Sequence, residues 1–372
     1  MPIKVGFLSP SLRMGGAERW MLGLARHCDP SRVQWVGTAL SEWSRESSMM
    51  TREMNRYMPV YGTVVPVDSK EHDRLFVRRP GPDASTGISI VAAQAKVILN
   101  WADAHLGVMT DFYRRHYGVK IVTVAHSDWP LCCGAVQDDS DNLAAVSLRA
   151  ASMAYSKTDK PIKVIYNGVD TERCVPIIGR NAFREKYGID KNDIVLTYVG
   201  RFSREKNCLA TAEIAGVLGK PFKAMYVGGG DSAAGNTDAE WLPKIKELVG
   251  DNFVFTGPLN HIGDALAATD VMINCSNNEG FCLTIVEAWL AGVPVVATPV
   301  GALPELTEKF GELVSSVPVG APLHERVSAT MRALGRDFRP ISDKARQIAW
   351  NNLTVPSMAE QWTQYIEQIA NA

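Results

Sequence analysis

The run Asn277–Gly292, NNEGFCLTIVEAWLAG, sets two carboxylates eight residues apart: Glu279 in a loop and Glu287 on an apolar helix ended by Gly292. A helix starting near Leu283 leaves its first backbone N–H groups unpaired, and those groups, at the positive end of the dipole, attract a phosphate. Gly280, Phe281, Cys282, Leu283 and Thr284 would supply that backbone. Glu287, about one turn inside, can accept from a ribose diol, while Glu279 can accept from the hydroxyls of a sugar beyond the phosphates. The chemistry suggested is that of a nucleotide-sugar site. Spacing alone leaves a plainer alternative open, with Glu279 a solvated loop residue and Glu287 a cap or the partner of a neighbouring cation.

The elements that must position these groups read as two successive βα series. A buried strand from Ile3 to Leu8, a polar loop through Gly16 and an amphipathic helix from about Ala17 to Cys28 open the first. Short apolar runs at Val33–Leu40, Ile121–Val124 and Lys163–Tyr166 continue it in the pattern of a parallel sheet covered by helices. The second series restarts at Ile194–Val199, with a loop from Gly200 to Glu205, a helix through about Leu218, and Lys223–Val227 running into Gly228-Gly229-Gly230. A linker is expected between about Val169 and Ile189, where periodicity is lost. After Pro356, Met358, Trp362, Tyr365, Ile366 and Ile369 recur at helical spacing, which predicts an amphipathic tail helix packed on one of the domains, the N-terminal one being the candidate. The predicted domains are therefore 1–170, 171–354 and the helix 355–372.

At 372 residues the chain is long enough for two domains with separate cores. With 39 Lys and Arg against 40 Asp and Glu, and no basic excess in either half, no nucleic-acid partner is expected. The seven cysteines are odd in number, form no CxxC pair and mostly sit in apolar stretches, which points to reduced packing cysteines and a cytoplasmic location. No signal peptide or membrane span is read. Trp43–Met58 carries Met50, Met54 and Met58 on one helical face with arginines between; a helix beside an acceptor site accounts for it, and peripheral contact with lipid stays open. Lys70–Ala84, charged and proline-rich, is read as an exposed loop. Asp139-Ser140-Asp141 has the spacing of a metal-binding pair, but it lies in a polar run with no strand ahead to aim it, so a solvated turn is expected and no metal site is assigned.

The whole stretch from Phe255 to Leu306 resembles the retaining glycosyltransferases of family 4. The likeness continues in YVGRFSREKN (Tyr198–Asn207), YNGVD (Tyr166–Asp170), GGAER (Gly15–Arg19) and, more loosely, VTVAHS (Val122–Ser127), while Val60–Asp103 lies outside it. The resemblance implies that Arg201 and Lys206 bind the donor diphosphate, that Glu279 holds the transferred sugar and that Glu287 binds the nucleotide ribose. Arg201 and Lys206 flank the start of a helix after a strand, so two cations and a helix N-terminus would converge where negative charge grows as the diphosphate leaves. Gly15 and Gly16 would let backbone approach the phosphate from the other domain. His126 matches the family histidine that faces the transferred sugar. Position 282 is cysteine where the family most often has glycine, which would narrow the pocket.

The fold implied is α/β of GT-B architecture, two Rossmann-like domains facing across a cleft, the donor mainly on the C-terminal domain and the acceptor on the N-terminal one. The activity implied is transfer of a sugar from a UDP- or GDP-sugar to an acceptor hydroxyl with retained configuration, in glycan, glycolipid or glycoconjugate biosynthesis. The acceptor would be a saccharide, a lipid-linked molecule or a small molecule, and no cofactor or metal is expected. The rivals are a sugar-nucleotide epimerase or phosphorylase on a similar scaffold, and a non-catalytic subunit that retains the sugar-nucleotide pocket.

Overall fold

The structure is a computed structural model that describes residues 1–9, 15–40, 52–61, 82–101, 107–126, 142–155, 159–230 and 237–372. The chain divides into two compact units, one formed by Met1–Gly168 with Val355–Ala372 and the other by Val169–Thr354.

Unit 1 is built on seven parallel strands, β1 (Ile3–Ser9), β2 (Val33–Leu40), β3 (Val60–Tyr61), β4 (Val97–Asn100), β5 (Lys120–Ala125), β6 (Asn142–Ala145) and β7 (Ile162–Val164), in the order β3-β2-β1-β4-β5-β6-β7. The strands are nearly continuous apolar runs because both faces are covered. Val5, Phe7, Val97, Leu99, Val122 and Val124 pack against the helix Gly16–His27 and the tail. The alternate residues Leu8, Ile98 and Ile121 pack on the opposite face with Ile88, Val91 and Tyr113.

Unit 2 repeats the plan with six parallel strands, β8 (Ile194–Arg201), β9 (Phe222–Gly229), β10 (Phe253–Gly257), β11 (Val271–Asn274), β12 (Val295–Ala297) and β13 (Ser315–Ser316), ordered β10-β9-β8-β11-β12-β13. Both units are Rossmann-like. In each, the chain winds outward from its first strand and then returns to pair on that strand's other side. The strand order reverses between β1 and β4 and between β8 and β11, and ligands of such sheets bind outside the carboxyl ends of the strands at that point.

The segment read as a linker is folded into unit 2. Thr171–Cys174 forms a 3-10 turn and Gly179–Lys186 a helix. Three successive amides, Ile177 to Gly179, donate to Asp264 Oδ1 at 2.8–2.9 Å, and Arg180 and Arg184 both reach Asp270. These partners lie more than eighty positions away, so local periodicity carries no trace of them.

The tail helix Val355–Asn371 packs within unit 1, burying Met358, Trp362, Tyr365, Ile366 and Ile369. Arg32 binds both Glu360 and Glu367 from it, at 2.8 and 2.7 Å. Met54 and Met58 are also in this core, so they are turned away from any lipid; residues 43–51, with Met50, lie outside the described residues, as do 70–81 of the expected loop. The helix Pro82–Gln94 begins inside that expected loop. Asp139, Asp141, Cys132 and Cys133 lie outside the described residues too. The other five cysteines are free and buried.

Candidate functional site

In unit 2 the predicted residues gather at the carboxyl ends of β8 and β11. Arg201 is the exposed last residue of β8, and its carbonyl accepts from the buried Tyr198 hydroxyl. Burial drives the Tyr198 phenol well above its ordinary range, with Glu279 adding to the rise and Arg201 opposing it, so both charges act on the same ring. Downstream, the turn holding Lys206 is stitched to the loop after β11. Asn277 donates its amide N–H to Glu205 O at 2.8 Å and its side chain to Arg204 O at 3.2 Å. Lys206 Nζ donates to Asn278 O at 3.0 Å and pairs with Glu279 Oε2 at 2.8 Å. Burial pulls the Lys206 pKa down, but Glu279, with smaller contributions from Glu205 and Cys282, turns the net shift upward, so the ammonium stays charged near neutral pH. Ser276 Oγ donates to the second Glu279 oxygen at 3.0 Å, so both carboxylate oxygens are held.

The loop then turns sharply into the helix Leu283–Leu290. Cys282 sits at its N-cap in a left-handed conformation, φ 78°, a region where glycine costs nothing and other residues are strained. There Asn274 Nδ2 donates to Cys282 Sγ and to Thr284 Oγ1, both at 3.3 Å. The thiol is buried and its pKa raised, first by burial and then by Glu279, so it remains protonated. No side-chain hydrogen bond caps this helix, whose first residues are Leu283 and Thr284. Phe281 is buried, and its carbonyl lies against Gly301, where a Cβ would stand 2.9 Å from Phe281 O and 3.1 Å from Glu279 Cβ. Gly280 leads into this turn. Lys206, Glu279 and the helix N-terminus thus form one constellation, with Arg201 at its edge.

Glu287 is 5% exposed, and one of its oxygens is bound by Arg173 from the 3-10 turn that opens unit 2. The pairing with a neighbouring cation that spacing left open is therefore present. Arg173 is a residue of the candidate site that sequence reasoning missed: no motif around Glu287 points 114 positions upstream, although its place three residues after YNGVD was a signal.

The predicted residues of unit 1 stand at the carboxyl ends of β1 and β5. Gly15, with extended backbone, is the N-cap of the helix Gly16–His27, and a Cβ on it would come within 2.5 Å of the buried Glu18 carboxylate. His126 directly follows β5. Trp20 and Trp101 meet its ring edge-on at centroid distances of 4.6 and 5.8 Å. Its Nε2 is sealed without a hydrogen-bond partner, and burial lowers the pKa from 6.5 to about 3, so the imidazole is neutral near pH 7. It can exchange hydrogen bonds with a hydroxyl but does not carry a proton as an acid. Among the described residues no group of three or more His, Cys, Asp or Glu is placed to hold a metal ion, and no helix is long and apolar enough to cross a membrane.

Two parallel-sheet, Rossmann-like units, the second with a cation, two carboxylates and a helix N-terminus without a side-chain cap near its switch point, define an α/β protein of the doubly wound class. Residues 193–322, all within the second unit, match the family described as Glycosyl transferases group 1. Curated relatives include N-acetyl-alpha-D-glucosaminyl L-malate synthase of Bacillus anthracis, 27% identical over 46% of this chain and 45% of that protein. Another is the lipopolysaccharide core biosynthesis mannosyltransferase LpsB of Rhizobium meliloti, 29% identical over 53% of this chain and 56% of that one. The chain spans about half the length of the curated relatives it matches. Among solved structures, Alr3699/HepE of Anabaena, in complex with UDP and glucose, superposes with a TM-score of 0.78 at 20% identity, covering 98% of this chain and all of that one. That likeness concerns the fold.

Proposed function

We propose that this protein is a retaining glycosyltransferase of family 4 type, moving a sugar from a nucleoside diphosphate donor, UDP- or GDP-linked, to an acceptor hydroxyl in glycan or glycoconjugate biosynthesis. The observation that carries this is the Lys206–Glu279 pair, held by the stitched loops at the N-terminus of Leu283–Leu290. A cation, a sugar-hydroxyl acceptor and unpaired amides converge there on one small volume. The relatives, which are glycosyl- and mannosyltransferases, and the UDP and glucose bound by the Anabaena protein favour a nucleotide sugar as the ligand.

In this mechanism the donor diphosphate lies on the amides of Leu283 and Thr284, with Arg201 and Lys206 countering its charge. Glu279 orients the transferred sugar, and Glu287 takes the ribose. As the glycosidic bond breaks, negative charge moves onto the diphosphate, and preorganised cations gain more in the transition state than in the ground state. Among the described residues no carboxylate stands out as a covalent nucleophile, so in this reading the leaving phosphate takes the acceptor proton on the same face, with configuration retained. In unit 1, the neutral His126 would exchange hydrogen bonds with hydroxyls, and Gly15 and Gly16 keep the backbone there free of side chains. The two cations do the work a metal would do, so catalysis is metal-independent. The reduced, buried cysteines fit a cytoplasmic enzyme.

The test is product analysis by NMR with UDP- and GDP-sugars, with and without saccharide, lipid-linked and small-molecule acceptors. The expected result is a product that forms only with acceptor and keeps the donor's anomeric configuration. An isomerised sugar from donor alone would identify an epimerase, demand for inorganic phosphate a phosphorylase, and binding without turnover a non-catalytic subunit.

A further inference from the structure

Glu287 is a carboxylate on a helix whose neighbours Ile285, Val286, Ala288 and Trp289 are all buried, and a charge in such surroundings is costly unless paired. Its partner is unusually well fixed. Arg173 Nε donates to Asn260 O at 2.7 Å, Nη2 reaches Leu259 O at 3.5 Å, and Nη1 binds Glu287 Oε1. The turn carrying it is fastened as well: Ile262 N–H donates to Arg173 O at 3.1 Å, and the His261 ring lies 2.8 Å from Glu172 O. Asp170 caps the turn by accepting from the Glu172 amide at 3.1 Å. The guanidinium is therefore anchored on backbone carbonyls through Nε and Nη2, and it holds Glu287 by a single charge-assisted hydrogen bond from Nη1. Only one Glu287 oxygen is used. The other accepts no hydrogen bond from a described residue, and it is not among the polar atoms sealed off without a partner.

We infer that Arg173 is a positioning residue, locking the Glu287 carboxylate by one oxygen so that the other is held out to the vicinal diol of a nucleoside ribose. This rests on the proposed role of Glu287 at the ribose. A buried pair that merely holds the loop 259–262 to the helix would act on every ligand alike, whereas a positioning role acts only through the diol.

The experiment is calorimetric binding of UDP, GDP and ADP to the full chain, followed by the 2′,3′-dideoxy analogue of whichever binds most tightly, for wild type, E287A, R173A and R173K. Hydrogen bonds to a charged acceptor predict that wild type prefers the ribonucleotide by about ten- to a hundredfold. E287A should abolish that preference. R173A should cut it to within roughly threefold while leaving the dideoxy affinity close to wild type, and R173K, which keeps the charge and loses the fork, should fall between. R173A or R173K weakening both compounds equally, or keeping the full preference, would overturn the inference. If R173A does not fold, R173K alone decides it. If no nucleotide binds, or E287A keeps the preference, the ribose assignment falls and the inference with it. If E287A loses the preference and the Arg173 variants keep it, only the inference falls.

Discussion

The two switch points of this chain solve the same problem with different materials. In unit 2 the loops after β8 and β11 are tied by polar bonds, Asn277 to Glu205 and Arg204 and Lys206 to Asn278 and Glu279, and Lys206 and Glu279 hold each other as an ion pair. In unit 1 the corresponding region is aromatic: His126 stands between Trp20 and Trp101, and His126 Nε2, the indole nitrogens of Trp20 and Trp101, and Asn100 Oδ1 are buried without partners. One region is electrostatically preorganised around charge, while the other holds an uncharged ring by shape. Unit 2 should therefore respond to substitution through chemistry and nucleotide affinity, and unit 1 through packing and acid sensitivity.

The largest effect should come from the unit 2 cations. Removing one donor that stabilises developing charge typically costs ~3–4 kcal/mol, so R201A and K206A should each lower kcat by roughly 10²–10³-fold with a smaller change in donor KM. Steady-state kinetics checks this; raised KM with kcat spared would make that residue an ordinary donor-binding cation and pass the leaving-group role to the amides of Leu283 and Thr284. Next in size, E287A should weaken nucleoside diphosphate binding by about ten- to a hundredfold without unfolding the protein, and unchanged affinity by calorimetry would remove Glu287 from the site.

Unit 1 should show a pH signature instead. His126 has a folded pKa of about 3 against 6.5 ordinarily, so between those values the unfolded chain binds the extra proton. The stability contributed by the neutral ring is complete above about pH 6.5 and is lost as pH falls toward 3. H126F should flatten that part of the melting-temperature profile, and parallel profiles for wild type and variant would contradict the burial of the ring. The smallest effect expected is none: EDTA should leave turnover intact, and a rate abolished by chelator and restored by Mg²⁺ or Mn²⁺ would break the metal-independent account of unit 2.

Much of this was legible in the sequence for local reasons. Apolar runs such as Ile194–Val199 announce buried parallel strands, and the helix from Leu283, its Glu287 and the loop residue Glu279 lie in one contiguous stretch. What was hidden depends on distant partners. The Arg180 and Arg184 pairs with Asp270 turn an apparent linker into a folded part of unit 2, and Arg173 reaches Glu287 across 114 positions. The inward turn of Met54 and Met58 likewise follows from a core shared with the tail helix, beyond the reach of any short window. At Cys282 the sequence showed a departure from glycine, and only the backbone showed a left-handed residue held by Asn274.

The central claim, that unit 2 binds a nucleoside diphosphate sugar, is tested most directly by thermal unfolding of wild type and E287A with a panel of UDP-, GDP- and ADP-sugars in metal-free buffer. Ligand at about a hundred times its Kd stabilises the native state by ~2.7 kcal/mol, so one donor should raise the melting temperature of wild type by on the order of 5 °C, and that rise should largely vanish in E287A. No rise with any member of the panel, or an equal rise in both proteins, would contradict the account.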